Sequence, residues 1–292
     1  MTTAFDQDFL KRLKNLSLVS RHIRAGKNAG NRRSPVKGHS VEFADFRSYS
    51  PGDDIRYLDW NSYARSEKLF IKLFMEEQDL LLNIFFDQSL SMDWGEPSKG
   101  QLARHLAAAF SYLSLNAYDR VSISSCGERL AGYLPPQRGR AGLDKAWAFL
   151  DNIAFQGQTD LNRSLREFGR YSHGAGLSVL FSDLLTPLGF QDGLKYLQYL
   201  KQDIVVIQIL SPDELDPVLH GDWRLLDSEN GELREITAGP RVLKAYRNKL
   251  QSFIEENRSF CGRRGISFLQ VCSDEPFDQI ILAGLTKAGV IG

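Results

Sequence analysis

Short apolar runs alternate with segments of helical spacing along most of the chain after residue 76. Runs of apolar or β-branched residues predict strands, and apolar residues recurring every three or four positions predict helices. Such alternation is typical of a mainly parallel, doubly wound α/β sheet with helices on both faces. The predicted strands are residues 80–86, 120–125, 177–182, 204–210 and 266–272, and the predicted helices are residues 100–117, 142–154, 161–171, 189–201, 241–261 and 276–288.

Three further segments have patterns of their own. Asn230-Gly231 between two strand-like runs predicts a small β-hairpin inserted before the long helix 241–261. Residues 68–75 read as a strand, and apolar residues at helical spacing between residues 5 and 16 predict one amphipathic helix. We therefore expect an N-terminal extension, residues 1–75, followed by one α/β domain, residues 76–292.

Composition limits the classes of protein that this chain can belong to. With 292 residues and 42% hydrophobic content, the chain can bury a large core. Its 36 basic and 36 acidic residues balance, so no overall field favours nucleic acid or an anionic membrane. The three cysteines lack Cys-x-x-Cys spacing, which argues against a disulfide scaffold or a structural zinc site. With neither a secretory signal nor a membrane span in the sequence, we expect a cytoplasmic protein.

Polar residues stand where the predicted strands end. The first core strand stops at Asp87, and Ser89 and Ser91 follow at alternate positions. Thr159 lies in a glycine-containing turn before a helix, and Asp183 ends another strand. Because the carboxyl ends of parallel strands form one crevice, these segments can meet there. Carboxylate and hydroxyl oxygens suit Mg²⁺, or equally Mn²⁺. The alternative is structural, with hydroxyls capping helices and aspartates closing turns.

Residues 38–65 alternate arginine and aspartate with aromatic side chains around a Pro-Gly turn. This pattern indicates an ion-paired, hydrogen-bonded structural motif, formed by Arg47, Tyr49, Pro51, Gly52, Asp53, Asp54, Arg56, Asp59, Trp60 and Arg65. A basic, glycine-containing stretch precedes it, with Arg21, Arg24, Lys27, Arg32, Arg33 and Lys37. That stretch is either a solvated loop or a patch for phosphate or an acidic partner.

Two resemblances follow from these motifs. The order Asp-x-Ser-x-Ser, Thr, Asp resembles the metal-ion-dependent adhesion site of the von Willebrand factor A fold, which implies that Asp87, Ser89, Ser91, Thr159 and Asp183 surround a divalent cation. Residues 38–92 resemble the bacterial domain-of-unknown-function 58 family, von Willebrand A-like proteins associated with MoxR AAA+ ATPases. This resemblance implies a non-enzymatic adaptor that acts with a MoxR-type ATPase in maturation or remodelling of a client protein.

Two other functions stay open. A magnesium-dependent phosphohydrolase would use Asp87 as its nucleophile. Haloacid-dehalogenase-type phosphatases, however, place a second acid two residues later, where this chain has Ser89. Binding of phosphate or nucleic acid through residues 21–37 would show a steep dependence of affinity on salt. No Walker loop, His-Glu-x-x-His helix or Gly-x-Ser-x-Gly elbow occurs in the sequence.

Overall fold

The computed structural model describes residues 42–75, 80–172, 174–226, 231 and 233–281. The chain divides into two compact units, one formed by residues 27–79 and the other by the remaining residues. The predicted N-terminal helix, the basic stretch 21–37 and the turn residue Asn230 lie outside the described residues. The predicted domain boundary between residues 75 and 76 stays a prediction.

The smaller unit is built on a two-stranded antiparallel ribbon. Its described elements are β1 (Glu42–Ser48), a short 3-10 helix (Ile55–Tyr57), the helix α1 (Trp60–Ser66) and β2 (Phe70–Met75). The predicted strand 68–75 is thus confirmed as β2, whereas β1 was not predicted. Leu58 and Ile71 are both buried and form an isolated bridge. The segment between the two strands therefore folds back onto β2.

The larger unit contains a six-stranded sheet of strand order β10-β7-β6-β3-β4-β5 and a separate ribbon of β8 and β9. In chain order the strands are β3 (Leu81–Asp87), β4 (Arg120–Cys126), β5 (Leu130–Gln137), β6 (Gly176–Ser182), β7 (Gln202–Leu210), β8 (Gly221–Leu226), β9 (Leu233–Ala238) and β10 (Ser267–Cys272). All neighbouring strands of the large sheet run parallel except β4 and β5. The predicted α/β architecture and the predicted hairpin strands are confirmed.

The strand β5 is the one strand of the main sheet that the sequence pattern did not predict. Its sequence, Leu-Ala-Gly-Tyr-Leu-Pro-Pro-Gln, holds two prolines and no continuous apolar run. Proline cannot donate to a ladder and is confined to edge strands, which is where β5 lies. Its side chains are mostly half-buried or exposed, unlike those of β3 and β6, which are buried throughout.

Helices cover both faces of the sheet. They are α2 (Lys99–Asn116), α3 (Gly139–Asp151), α4 (Leu161–Phe168), α5 (Gln191–Tyr199), α6 (Pro212–Leu215), α7 (Pro240–Arg263) and α8 (Phe277–Gln279). One core cluster joins Ile84 and Phe86 to α2 and α3, and the other joins Phe85 to α4 and α5. The predicted helices are confirmed, except that most of 276–288 lies outside the described residues. None of the described helices is long and apolar enough to cross a membrane.

A buried polar network crosses the sheet near the amino ends of its strands. Asn83 donates from Nδ2 to Gln202 Oε1 at 2.9 Å, and Ser122 donates to Asn83 Oδ1 at 2.7 Å. Ser178 also donates to Gln202 Oε1, at 3.0 Å. The network thus links β3 to β4, β6 and β7 through side chains as well as through the backbone.

Replacing Asn83 with alanine is expected to lower the free energy of unfolding by about 2 to 4 kcal/mol, because the buried groups of Ser122 and Gln202 lose a partner. Urea unfolding followed by circular dichroism measures the effect. Ser124→Ala is the matched control on β4, because the buried Ser124 hydroxyl makes no hydrogen bond within the described residues. Equal destabilisation of the two variants would contradict the importance of the network.

Candidate functional site

The candidate site lies where β3 and β6 end and where α4 begins. Asp87 is the last residue of β3, and β3 pairs with both β4 and β6. Thr159 comes immediately before Asp160, the N-cap residue of α4, and Asp183 directly follows β6. The structure therefore brings the predicted strand-end residues to one edge of the sheet.

Asp87 is the centre of this cluster. Thr159 Oγ1 donates to Asp87 Oδ1 at 2.6 Å, and Ser182 Oγ donates to Asp87 Oδ2 at 2.5 Å. The backbone N–H of Ser89 adds a third hydrogen bond at 3.0 Å. Only 2% of Asp87 is exposed. All three donors are neutral, and no cationic side chain forms an ion pair with Asp87 within the described residues.

The electrostatics of Asp87 are accordingly unfavourable for its charged form. Burial, and then the nearby negative charge of Asp183, raise the pKa of Asp87 above its ordinary value, although the three hydrogen bonds act in the opposite direction. A buried carboxylate without a cation is costly. A positive charge placed beside Asp87 would relieve that cost.

The two serines lie in a loop that backbone hydrogen bonds fix in place. Leu90 N–H donates to the carbonyl of Gly157 at 3.0 Å, and Gln156 N–H donates to the carbonyl of Gln88 at 2.9 Å. Ser89 Oγ and Ser91 Oγ are 3.0 Å apart. Their hydroxyl oxygens are thus presented next to each other, in the same loop as Asp87.

Asp183 has a different environment, which the sequence analysis did not foresee. Lys99 donates from Nζ to Asp183 Oδ2 at 2.7 Å and to Glu214 Oε1 at 2.6 Å. The Lys99 side chain is completely buried. Burial lowers the pKa of Lys99, but the charges of Asp183 and Glu214 outweigh it and raise that pKa above its ordinary value. The two acidic partners therefore favour the charged form of Lys99.

Sequence reasoning missed Lys99, Glu214 and Ser182 as members of the site. Along the chain, Lys99 is 84 residues from Asp183 and 115 residues from Glu214. One local signal existed, because a cation at the first position of a helix is disfavoured by the helix dipole and needs an acidic partner. Ser182 is the last residue of β6, directly before Asp183.

The chemistry of these side chains fits a cation that prefers oxygen ligands. Ser89, Ser91 and Thr159 offer neutral hydroxyl oxygens, and Asp87 and Asp183 offer carboxylates. Lys99 pairs with two of the nearby carboxylates, Asp183 and Glu214, whereas Asp87 makes no ion pair within the described residues. Nowhere in the described chain do three His, Cys, Asp or Glu side chains converge as a set of metal ligands. An ion such as Mg²⁺ would thus depend on hydroxyls and water as well as carboxylates.

Exposed apolar side chains occupy the loops that carry these polar residues. Leu90 and Trp94 follow Ser89, and Leu185 and Leu188 follow Asp183. Trp94 is 56% exposed and Leu188 is 68% exposed. Both loops that contain predicted ligands thus also expose large apolar side chains to solvent.

The predicted motif of residues 47–65 forms local ion pairs in the smaller unit. Arg47 donates to Asp53 Oδ1 at 2.8 Å, and Arg56 makes a forked contact with Asp54. Gly52 has a φ of +105°, as the predicted turn requires. Of the remaining members, Asp59 is buried, Tyr49 is half-buried, and Pro51, Trp60 and Arg65 are exposed. The pairs are exposed, so they contribute little to stability.

The sheet order and the covering helices are those of a von Willebrand A-like α/β domain. The chain belongs to the family described as "Protein of unknown function DUF58", whose model matches residues 45–258. The predicted family is thereby confirmed.

Similar proteins are found among bacterial sequences and structures. The uncharacterized protein Rv1480 of Mycobacterium tuberculosis H37Rv is 26% identical over 238 residues, which cover 79% of this chain and 74% of that protein. BatB from Bacteroides thetaiotaomicron, a conserved hypothetical protein, aligns with a TM-score of 0.44 and 13% identity over 72% of this chain and 98% of its own. A von Willebrand factor type A structure from Catenulispora acidiphila aligns with a TM-score of 0.36 and 15% identity over 48% of this chain and 35% of its own.

Proposed function

We propose that this protein is a non-enzymatic, metal-dependent interaction adaptor that acts with a MoxR-type AAA+ ATPase on client proteins. The observation that carries the proposal is the buried Asp87 carboxylate, which accepts hydrogen bonds only from neutral donors, the hydroxyls of Thr159 and Ser182 and the Ser89 N–H. A von Willebrand A-like fold in this family supports an interaction role. The choice of ATPase rests on the resemblance of residues 38–92 to proteins associated with MoxR.

The residues of the chain have distinct parts in this function. Ser89, Ser91, Thr159 and Asp87 would hold Mg²⁺ or Mn²⁺, and Asp183 would face it from the next strand. When bound, the ion supplies an exchangeable coordination position that accepts a carboxylate from another protein. Thr159 and Ser182 keep the Asp87 oxygens in a fixed orientation through their hydrogen bonds. The site is therefore arranged before any partner arrives.

The loops around the site would supply the rest of the contact. Trp94 and Leu188 are exposed on the loops that also contain the predicted ligands. Burial of such side chains against a partner contributes apolar area, while a metal-bound carboxylate contributes direction and specificity. We infer a partner segment in which an acidic residue is flanked by apolar ones.

Capture of partners from a lysate of the source bacterium tests this function. Wild-type protein, Asp87→Ala and Trp94→Ser serve as baits, each with Mg²⁺ or with a chelator. We expect a AAA+ ATPase to be recovered by the wild type with Mg²⁺ and lost with the chelator or with Asp87→Ala. Trp94→Ser is expected to retain Mg²⁺ binding but to recover the ATPase at least fivefold less.

The controls separate docking from folding. Circular dichroism establishes that each bait is folded, and Tyr199→Ala serves as a neutral variant because Tyr199 is 79% exposed on α5. Equal recovery of the ATPase from all baits, with and without metal, would contradict the adaptor function. If recovery of the ATPase is unchanged by the chelator but is reduced by Trp94→Ser, the docking role is supported and the metal dependence is contradicted.

A further inference from the structure

Lys99 joins three separate parts of the larger unit. It is the first residue of α2, and its Nζ contacts Asp183 after β6 and Glu214 in α6. A completely buried lysine is rare, and it persists only where its charge is paired and its donors are satisfied. The sequence separations show that this pairing is a product of the tertiary fold.

The partner Glu214 is held independently of Lys99. Its Oε2 accepts from the Ser211 N–H at 2.8 Å, while Ser211 Oγ accepts from the Glu214 N–H at 3.3 Å. These reciprocal bonds form a capping box at the start of α6. In addition, Tyr246 donates its hydroxyl to the Glu214 carbonyl at 2.8 Å. Glu214 is thus a fixed anchor that positions the ammonium towards Asp183.

Both oxygens of Asp183 already have partners. Oδ2 accepts from Lys99 at 2.7 Å, and Oδ1 accepts from the Leu185 N–H at 2.9 Å. A divalent cation beside Asp87 would have to share the charge of Asp183 with the ammonium. Because like charges repel strongly where water is excluded, Lys99 and such an ion would oppose each other.

We propose that Lys99 is a built-in counter-cation of the candidate site, which competes with a divalent ion for Asp183 and thereby weakens the affinity for that ion. This inference rests on the proposed metal dependence. Without a metal, the ammonium keeps the strand-end loops together. With a metal, it limits how tightly the ion is held, so that a partner's carboxylate is needed for full occupancy.

Two variants separate this role from a general effect of charge. Lys99→Met removes the ammonium and makes the cluster one unit more negative. Lys99→Met combined with Glu214→Gln also removes the ammonium but keeps the net charge of the wild type. Glutamine at position 214 retains the oxygen that the capping box requires. Any gain of affinity in the double variant therefore reflects the freed Asp183 carboxylate.

The experiment is titration of MgCl₂ into the full chain by calorimetry, together with thermal unfolding with and without Mg²⁺. We expect the single variant to bind Mg²⁺ at least tenfold more tightly than the wild type, and the double variant at least threefold more tightly. Both should also show a larger increase in Tm on addition of Mg²⁺. A single variant that folds only with Mg²⁺ would equally support the proposal, because the ion then replaces the ammonium.

Other results would overturn it. If only the single variant binds Mg²⁺ more tightly and the double variant binds it like the wild type, Lys99 acts only through the net charge of the cluster. If both variants bind Mg²⁺ like the wild type, Lys99 has no effect on the ion. Should the single variant fail to fold in either condition, the double variant decides between these outcomes. If none of the three proteins binds Mg²⁺, the metal dependence of the proposed function fails as well.

Discussion

Replacing Asp87 with asparagine is expected to abolish Mg²⁺ binding and yet to stabilise the protein when a chelator is present. The carboxylate is buried, is held by neutral donors and has a raised pKa, so its ionised form destabilises the folded state. Asparagine keeps the size and an acceptor oxygen but removes the charge. We expect a gain on the order of 1 to 3 kcal/mol in the free energy of unfolding at pH 7.

The dependence of this gain on pH follows from linkage. Because the pKa of Asp87 is higher in the folded state, the wild type loses stability as pH rises from the unfolded value through the folded one. The difference in stability between Asp87→Asn and the wild type should therefore shrink as pH is lowered towards 4. Urea unfolding in EDTA at several pH values measures it.

Asp93→Asn is the matched control for this substitution. Asp93 lies in the same loop but is exposed, so its replacement removes the same charge without changing the buried cluster. Calorimetry should detect Mg²⁺ binding by Asp93→Asn within about twofold of the wild type, since exposed charges are well screened. Undiminished Mg²⁺ binding by Asp87→Asn would refute the assignment of Asp87 as a ligand.

Replacing Phe85 with alanine is expected to lower the free energy of unfolding by about 3 to 5 kcal/mol. Phe85 is completely buried, and its ring meets that of Phe168 edge to face, with centroids 4.8 Å apart. Removal of the ring leaves a cavity between β3 and α4. Denaturant unfolding measures the loss, which should be far larger than the loss of under about 0.5 kcal/mol expected for Tyr199→Ala on the surface.

A double-mutant cycle with Phe168→Ala tests whether this ring contact is specific. The two substitutions should be less than additive by about 0.5 to 1.5 kcal/mol, because each removes the same aromatic pair. Strict additivity would mean that Phe85 contributes through its buried area alone.

Because Phe85 and Asp87 are two residues apart on one strand, they share a face of the sheet. The Phe85→Ala variant should therefore also bind Mg²⁺ more weakly.

Most of the larger unit could be predicted from sequence because its buried strands are continuous apolar runs. β3 and β6 are buried at every position, so their pattern is unmistakable in the sequence. The edge strand β5 was not predicted, because its prolines and half-exposed positions give no continuous apolar run. The strand β1 was not predicted, because its charged residues indicated a motif of ion pairs instead. Arg47 near the end of β1 does form such a pair.

Some residues of the candidate site are close together in the sequence, and others come from distant segments of the chain. Asp87, Ser89 and Ser91 lie within five residues, and a pattern in the sequence reveals them. Thr159 was found because its turn precedes a helix. The position of Lys99 at a helix start was the one local signal for its ammonium, but its two acidic partners come from distant segments of the chain and could not be predicted. Mg²⁺ or Mn²⁺ as the bound ion stays a prediction.

The buried network around Asn83 has a consequence for the opposite end of the sheet. Side chains on a strand alternate between faces, so a slip of β3 by one residue would turn Asp87 away from Thr159 and Ser182. Asn83 favours the observed register of β3, because a slip would break its hydrogen bonds with Gln202 and Ser122. Asn83 lies four residues before Asp87 on the same strand and does not contact the site. By stabilising the register of β3, it nevertheless helps to keep Asp87 oriented towards Thr159 and Ser182.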